Sequence, residues 1–449
     1  MPEKKIEKIK KILIECVSLK EYIVNSYIFC QDNFSSIKNT IDNDSKEIKK
    51  SSDILIKDIN SFNKEKIFSF LRKKEKISVK DIFIELLTID YLLSESIQKN
   101  KYLSYTRKIF CNINSKEYFI LNNPYNSIFS YFFNKKYSIR KPNDFSSDLK
   151  YCFNNFIISE IGIKGYESEI INLNDISPQT NILLKKDIEN ITFAIFSNFN
   201  KPIYNIKEIQ LNSEKKGIYY YSISNNELID SEITKILEES YKENISIVLL
   251  PELFVYESSR QLISNWLKYN NEEQKIFMVI AGSMHIFDNS NNNCINESII
   301  YDCYGKKIHS QSKISAFKED NYIEYLQSSI NNKFLCVDSS IGRFSISICL
   351  DFIDDNNFLL LNKEFFVNIN FVPSLSKKLE TFKNIAKNQG KLYNASTFCS
   401  NTISESNKSN DKGFIYFPIK SSSKSCIEIP LTHKNNLYYL KVKLSDIKL

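Results

Sequence analysis

The stretch Ile245-Ser246-Ile247-Val248-Leu249-Leu250-Pro251-Glu252 decides the fold. It is apolar but for one serine, carries no charge until its end, and breaks at a proline. That length and pattern fit a strand buried on both faces better than an amphipathic helix. The run stops on a carboxylate. A second run of the same kind, Phe344-Ser345-Ile346-Ser347-Ile348-Cys349, stops on a thiol and continues into Leu350-Asp351-Phe352. Between the two lies Lys313, in Ser310-Gln311-Ser312-Lys313-Ile314. In layered α/β proteins functional groups gather just beyond strand C-termini, where side chains from several strands face one crevice. A carboxylate, an ammonium and a thiol so placed supply a base, an electrostatic stabiliser and a nucleophile.

Working outward, further strand-like runs occupy 191–196, 276–281, 298–301, 366–372 and 397–399, with helical patterns at 231–243 and 257–268. This alternation predicts an α/β layered domain over 190–449. Upstream the grammar is helical. Apolar residues from Ile6 to Tyr27 recur at three- and four-residue intervals, and a second stripe runs from Val79 to Leu93 behind a capping signal at Ser78. Polar residues 31–62 read as one long helix or a helix pair. Turn-rich breaks fall at 141–147 and 174–180, and the second is the expected domain boundary, leaving 1–185 as a mainly helical domain.

Composition narrows the function classes. The chain has 449 residues, long enough for two domains, with 42% hydrophobic and 25% charged residues. No apolar stretch has the length of a membrane span, and the N-terminus is too charged for a secretory signal, so no membrane association is expected. Ten cysteines lie without a C-x-x-C pair, and of the three histidines His285 and His309 have no metal-ligand spacing. No metal, cofactor or disulfide framework is expected, and a reducing cytoplasm is. Of the 60 basic side chains 28 fall in residues 1–150, against 19 acidic ones there, so this part carries the whole excess of a chain with net charge +7. The concentration at Arg107, Lys108, Lys135, Lys136, Arg140 and Lys141 reads as a solvated face or a protein contact. Nucleic acid is the less favoured partner, because the interleaved aromatics (Tyr125, Phe129, Tyr131, Phe132, Phe133, Tyr137) are spaced as a core would have them.

The order Leu-Leu-Pro-Glu252, Lys313, Ile-Cys349-Leu-Asp resembles the nitrilase superfamily of carbon–nitrogen hydrolases, whose hallmark is a Glu-Lys-Cys triad. Supporting matches are Ala281-Gly282-Ser283 at a strand end, the hairpin signal at Tyr304-Gly305, Gly342 before the cysteine strand, and Pro373-Ser374 after a late strand. The resemblance covers roughly 190–449. It implies a four-layer αββα sandwich, preceded here by the helical domain. It further implies that Glu252 is the base, that Lys313 and the backbone N–H of Leu350 stabilise an oxyanion, and that Cys349 is the nucleophile. A second glutamate shortly after the lysine is also implied, for which Glu319 and Glu324 both qualify. Departures fall around the pocket: Ile353-Asp354-Asp355 where the family often has an arginine, and an insertion-like stretch at 200–230.

The expected activity is cleavage of a non-peptide C–N bond in a small amide through a cysteine thioester, by a homo-oligomer whose helical domain contacts a protein partner. A reading from another class stays open. In it the sandwich is catalytically eroded and serves as a platform for oligomerisation or partner binding, as in a bacterial defence or signalling system.

Overall fold

The computed structural model describes residues 11–59, 68–71, 78–99, 109–113, 116–122, 149–160 and 167–443, apart from short stretches of which 403–411, 419–425 and 327–332 are the longest. Among the described residues the chain divides into two compact units between Gly162 and Ile163.

In the first unit the early apolar stripe is not one helix. Ser18 starts helix α1 (Leu19–Asp32) by accepting the Glu21 N–H on its hydroxyl, at 3.4 Å. Helix α2 (Phe34–Ile59) is a single 26-residue helix, which settles the alternative left open for 31–62. Helix α3 (Val79–Lys99) opens with a reciprocal cap. The Asp81 N–H donates to Ser78 Oγ at 3.1 Å, and the Ser78 N–H to Asp81 Oδ2 at 2.9 Å. The apolar stripes meet in one core that includes Tyr22, Ile23, Ile37, Leu55, Ile82 and Leu86. The unit also holds an antiparallel sheet of β1 (Ile109–Ile113), β2 (Lys116–Asn122) and β3 (Phe156–Glu160), which the helical reading did not foresee. The basic and aromatic residues singled out at 107–108 and 125–141 lie outside the described residues.

The second unit starts upstream of the expected boundary. Strand β4 (Glu167–Asn172) and the short helices α4 (Leu173–Ile176) and α5 (Pro178–Lys186) belong to it. What read as a turn is a pair of helix starts: Asn172 Oδ1 accepts the Asn174 N–H at 2.9 Å, and Pro178 stands where a helix needs no N–H. There follow β5 (Thr192–Ser197), β6 (Tyr204–Gln210), β7 (Lys216–Ile223), α6 (Asn226–Lys242), β8 (Ile247–Leu249), α7 (Glu257–Asn270) and β9 (Met278–Ile280). The chain continues through β10 (Met284–Asp288), β11 (Asn293–Asp302), β12 (Lys307–Ser312), β13 (Lys318–Glu319), β14 (Tyr322–Glu324), β15 (Lys333–Ser339) and β16 (Gly342–Ile346). It ends with α8 (Leu350–Ile353), β17 (Ile369–Ser374), α9 (Glu380–Tyr393), β18 (Ser396–Asn401), β19 (Gly413–Pro418), β20 (Cys426–Glu428), β21 (Thr432–Lys434) and β22 (Leu437–Lys443).

Two large sheets result. One runs β10-β11-β9-β8-β5-β22-β21, with β12 also on β11; the other runs β20-β19-β18-β17-β16-β15-β4. Alternation along β5 shows how they stack. Ala194 and Phe196 pack with Ile233, Ile236 and Leu237 of α6, while Phe193 turns the other way and stacks on Phe398 of β18 at 4.5 Å. On the far sheet α9 packs against β18 and β19, with Gln389 accepting from Asn370 Nδ2 at 3.0 Å. Helices therefore cover both outer faces, and the layers are αββα, as the resemblance implies. Stretch 200–230 holds the β6–β7 hairpin, whose strand β7 pairs with β14 in a separate small sheet, β13-β14-β7-β6. No helix among the described residues is long and apolar enough to cross a membrane.

Candidate active site

Each of the residues expected at the site ends or follows a strand: Glu252 and Lys313 in the first sheet, Glu319 and Glu324 in the small sheet, and Cys349 and Leu350 in the second. Glu252 lies just past β8, in a turn that Gly282 makes room for: at φ 59, a Cβ there would run into the Pro251 carbonyl. Lys313 follows β12, and its N–H donates to the Asn296 carbonyl on β11 at 2.7 Å. Asn296 in turn is the register partner of His285 on β10. Three neighbouring strands thus line up His285, Asn296 and Lys313 in one row.

Two glutamates close on that row. Lys313 Nζ donates to Glu252 Oε1 at 2.9 Å and to Glu324 Oε2 at 2.6 Å. Asn296 Nδ2 bridges the same pair, to Glu252 Oε1 at 3.0 Å and Glu324 Oε1 at 3.1 Å. His285 Nε2 meets Glu324 Oε1 at 2.9 Å, and the Phe317 N–H reaches Glu324 Oε2 at 3.0 Å. Of the two glutamates left open by spacing, Glu324 is the one in contact with Lys313; the side chain of Glu319 lies outside the described residues. Glu252 Oε2 accepts no hydrogen bond among the described residues, so this oxygen is left over for a thiol or a water.

Cys349 sits at the turn from β16 into α8 with φ 51 and ψ −109, a conformation that a residue with a Cβ adopts at a cost. Its N–H donates to the Pro373 carbonyl at 2.9 Å, which ties the turn to the end of β17. Its Sγ lies 3.9 Å from the Leu375 carbonyl. Asp351, two residues on, accepts the N–H groups of Ile314 and Ser315, at 3.1 Å and 2.7 Å. The element bearing the thiol therefore holds the loop bearing the lysine. Leu350 is the first residue of α8, so its N–H has no intrahelical acceptor.

All four ionisable groups are buried: Glu252 is 2% exposed, Lys313 7%, Glu324 5% and Cys349 5%. Burial alone would lower the lysine, but Glu252 and Glu324 outweigh it and push Lys313 well above its ordinary range. Burial would raise Glu324, yet Lys313 and His285 hold it well below the usual carboxylate range. Cys349 goes the other way. Burial, reinforced by the Glu252 charge, pushes the thiol well up against the pull of Lys313. The resting sulfur is a neutral thiol, which would need a base in order to act as a nucleophile.

Sequence reading missed Asn296 and His285. Both stand inside strands, in Met284-His285-Ile286 and Cys294-Ile295-Asn296-Glu297, where polar letters suggest solvent. Their only sequence signal is that Asn296 lies within reach of an otherwise apolar run. Cys399 is a buried thiol on β18 and Cys303 a buried thiol in the turn after β11, where burial pushes it up to about 11. No cluster able to hold a metal occurs among the described residues. A small cleft adjoins the glutamates, lined by Tyr204, Tyr220, Leu253, Tyr256, Met284 and His285.

No family model matches the sequence, and no curated protein does. Among solved structures the chain is similar to Nit3 of Saccharomyces cerevisiae, a member of branch 10 of the nitrilase superfamily. The likeness is 14% identical, covers 57% of this chain and 90% of that one, and has a TM-score of 0.41. A carbon–nitrogen hydrolase of Helicobacter pylori G27 is similar at 13% identity over 57% of this chain and 89% of its own, TM-score 0.37. An amidase of Nesterenkonia sp. is similar at 12% over 58% and 94%, TM-score 0.38. Likenesses this faint say nothing of substrate or reaction, which rest on the residues themselves.

Proposed function

We propose that this protein is a thiol hydrolase that cleaves a non-peptide C–N bond, in an amide, through an acyl thioester on Cys349. The observation that supports the reading is a strained, buried thiol turn tied through Asp351 to the loop of a lysine that two glutamates clamp. A structural ion pair needs one carboxylate; the second, and the left-over oxygen of Glu252, are accounted for by proton transfer.

Glu252 takes the thiol proton as sulfur adds to the amide carbon. The oxyanion so formed is met by the Leu350 N–H and by the third Nζ proton of Lys313, the other two being spent on the glutamates. The C–N bond breaks as Glu252 returns the proton to the departing nitrogen, leaving the thioester. Water then adds to the acyl carbon, giving its proton to Glu252; the C–S bond breaks and the thiol regains its hydrogen. Glu324 stays ionised and fixes Lys313.

Self-association of the sandwich and a protein partner for the first unit belong to the same reading. The platform reading draws on the near-complete burial of the site, and it predicts an unreactive Cys349. Incubation with a panel of short-chain amides in hydroxylamine separates the two. Hydroxamate formed by the wild type and lost in Cys349→Ala supports the hydrolase, whereas none from any amide favours the platform.

A further inference from the structure

We propose that His285 is a positioning residue for Glu324 and, through it, for Lys313, with the β6–β7 hairpin as its mount. The proposal rests on the hydrolase reading above and extends it to the inserted segment.

The ring is fixed from both sides. The backbone N–H of Tyr220 donates to His285 Nδ1 at 2.9 Å. A backbone N–H can only donate, so Nδ1 is the acceptor and the ring hydrogen of the neutral imidazole stands on Nε2. That nitrogen is 2.9 Å from Glu324 Oε1, so His285 donates there. The Tyr220 ring lies over the imidazole at 5.5 Å and 16° between planes, and the His285 side chain is fully buried. The imidazole has no freedom to tilt or to change tautomer without breaking one of these contacts.

Both ends of this line are carried by one small sheet. Tyr220 is on β7 and Glu324 on β14, and the strands pair in parallel with Glu324 opposite Ile218. The Tyr325 N–H donates to the Ile218 carbonyl at 2.7 Å. Gly217 lies so close to the Tyr325 ring that a Cβ would come within 2.8 Å of it. The hairpin is thus fitted to the strand that carries Glu324, and His285 reports its position to the first sheet. Without His285, Oε1 of Glu324 keeps only the Asn296 amide, which is shared with Glu252. The carboxylate is then anchored mainly through Oε2, by Lys313 and the Phe317 N–H, and pivots about that end, which shifts Lys313.

The test needs no knowledge of the substrate. In the full chain, the rate at which iodoacetamide alkylates Cys349 is followed by peptide mass spectrometry for the wild type, His285→Gln and His285→Leu, with thermal melts alongside. Gln places an amide donor near the position of Nε2, and Leu offers none. Loss of a hydrogen bond to a charged group predicts that His285→Leu slows alkylation about tenfold or more, while His285→Gln stays within about threefold of the wild type. Should the Leu variant not fold, His285→Asn, whose shorter amide falls short of Glu324, takes its place with the same expectation. Equal slowing in the Gln and Leu variants, or none in either, overturns the proposal. If wild-type Cys349 reacts no faster than Cys349 of Glu252→Gln, the hydrolase reading itself falls, an outcome distinct from failure of the histidine alone.

Discussion

The chemistry at Cys349 is set by competing effects. Burial keeps the sulfur protonated, Lys313 pulls toward thiolate, and the Glu252 charge pushes back. Burial wins, so in the proposed mechanism Glu252 acts during attack and not before it. Cys349→Ser is expected to keep the fold, because the exchange is nearly isosteric, and to lose about a thousandfold or more in turnover; steady-state rates with a soluble, folded variant check this. Asp351 gives a stability prediction. Burial pushes its carboxyl up to about 7 against the pull of the Ser315 and Ile314 N–H groups, from a value of 3.8 in an unperturbed chain. Between those values the folded protein holds a proton that the unfolded chain has released. Stability therefore falls as pH rises from about 4 to about 7, by at most about 1.4 kcal/mol per pH unit, and the slope then ends. Urea melts across that range should show the slope in the wild type and not in Asp351→Asn. Glu252 and Cys349 were legible because each ends an apolar strand run, and Lys313 because it lies between them in the order that the resemblance implies. Asn296 and His285 were not, because a polar residue buried by its cross-strand neighbours looks in sequence like one facing water.

At the scale of elements, what matters is how closely turns approach one another. The Glu252 turn and the end of β9 touch at Gly282, where φ is 59 and a side chain would strike the Pro251 carbonyl. Gly282→Ala is predicted to cost about 1–3 kcal/mol and to lower turnover of the remaining folded protein, because relief of the clash moves Glu252. Chemical denaturation and rates per folded molecule separate the two effects. Strands β8 and β16, which lead to Glu252 and Cys349, showed plainly in the sequence as uncharged apolar runs of strand length, whereas β12 and β14, which lead to Lys313 and Glu324, did not. The β6–β7 hairpin read only as an insertion, since β6 is largely exposed and its relation to Glu324 is made by pairing between segments far apart in the chain. The sheet of the first unit went unseen for a similar reason, its strand β3 lying well beyond β2. Residues 174–180 misled in the opposite sense: asparagine, serine and proline serve helix starts as well as turns.

At the scale of the molecule, the division of the described residues between Gly162 and Ile163 makes a fragment test possible. Residues 163–449 include β4, which pairs with β15 from Lys333 to Asp338 and closes that edge of the sheet. A fragment 163–449 is expected to be soluble and to melt in one transition. A fragment 190–449 leaves the edge of β15 bare and is expected to aggregate, as unpaired edge strands do. Size-exclusion chromatography of the two fragments decides this.

The claim on which the account turns is that Glu252 activates Cys349. The most direct measurement is the rate of Cys349 alkylation by iodoacetamide in the wild type and in Glu252→Gln, at equal pH and with both proteins shown to be folded. The account predicts that the variant reacts about tenfold or more slowly, because loss of the base that takes the thiol proton outweighs the thiolate gained by removing the Glu252 charge. Equal rates in the two proteins would contradict it.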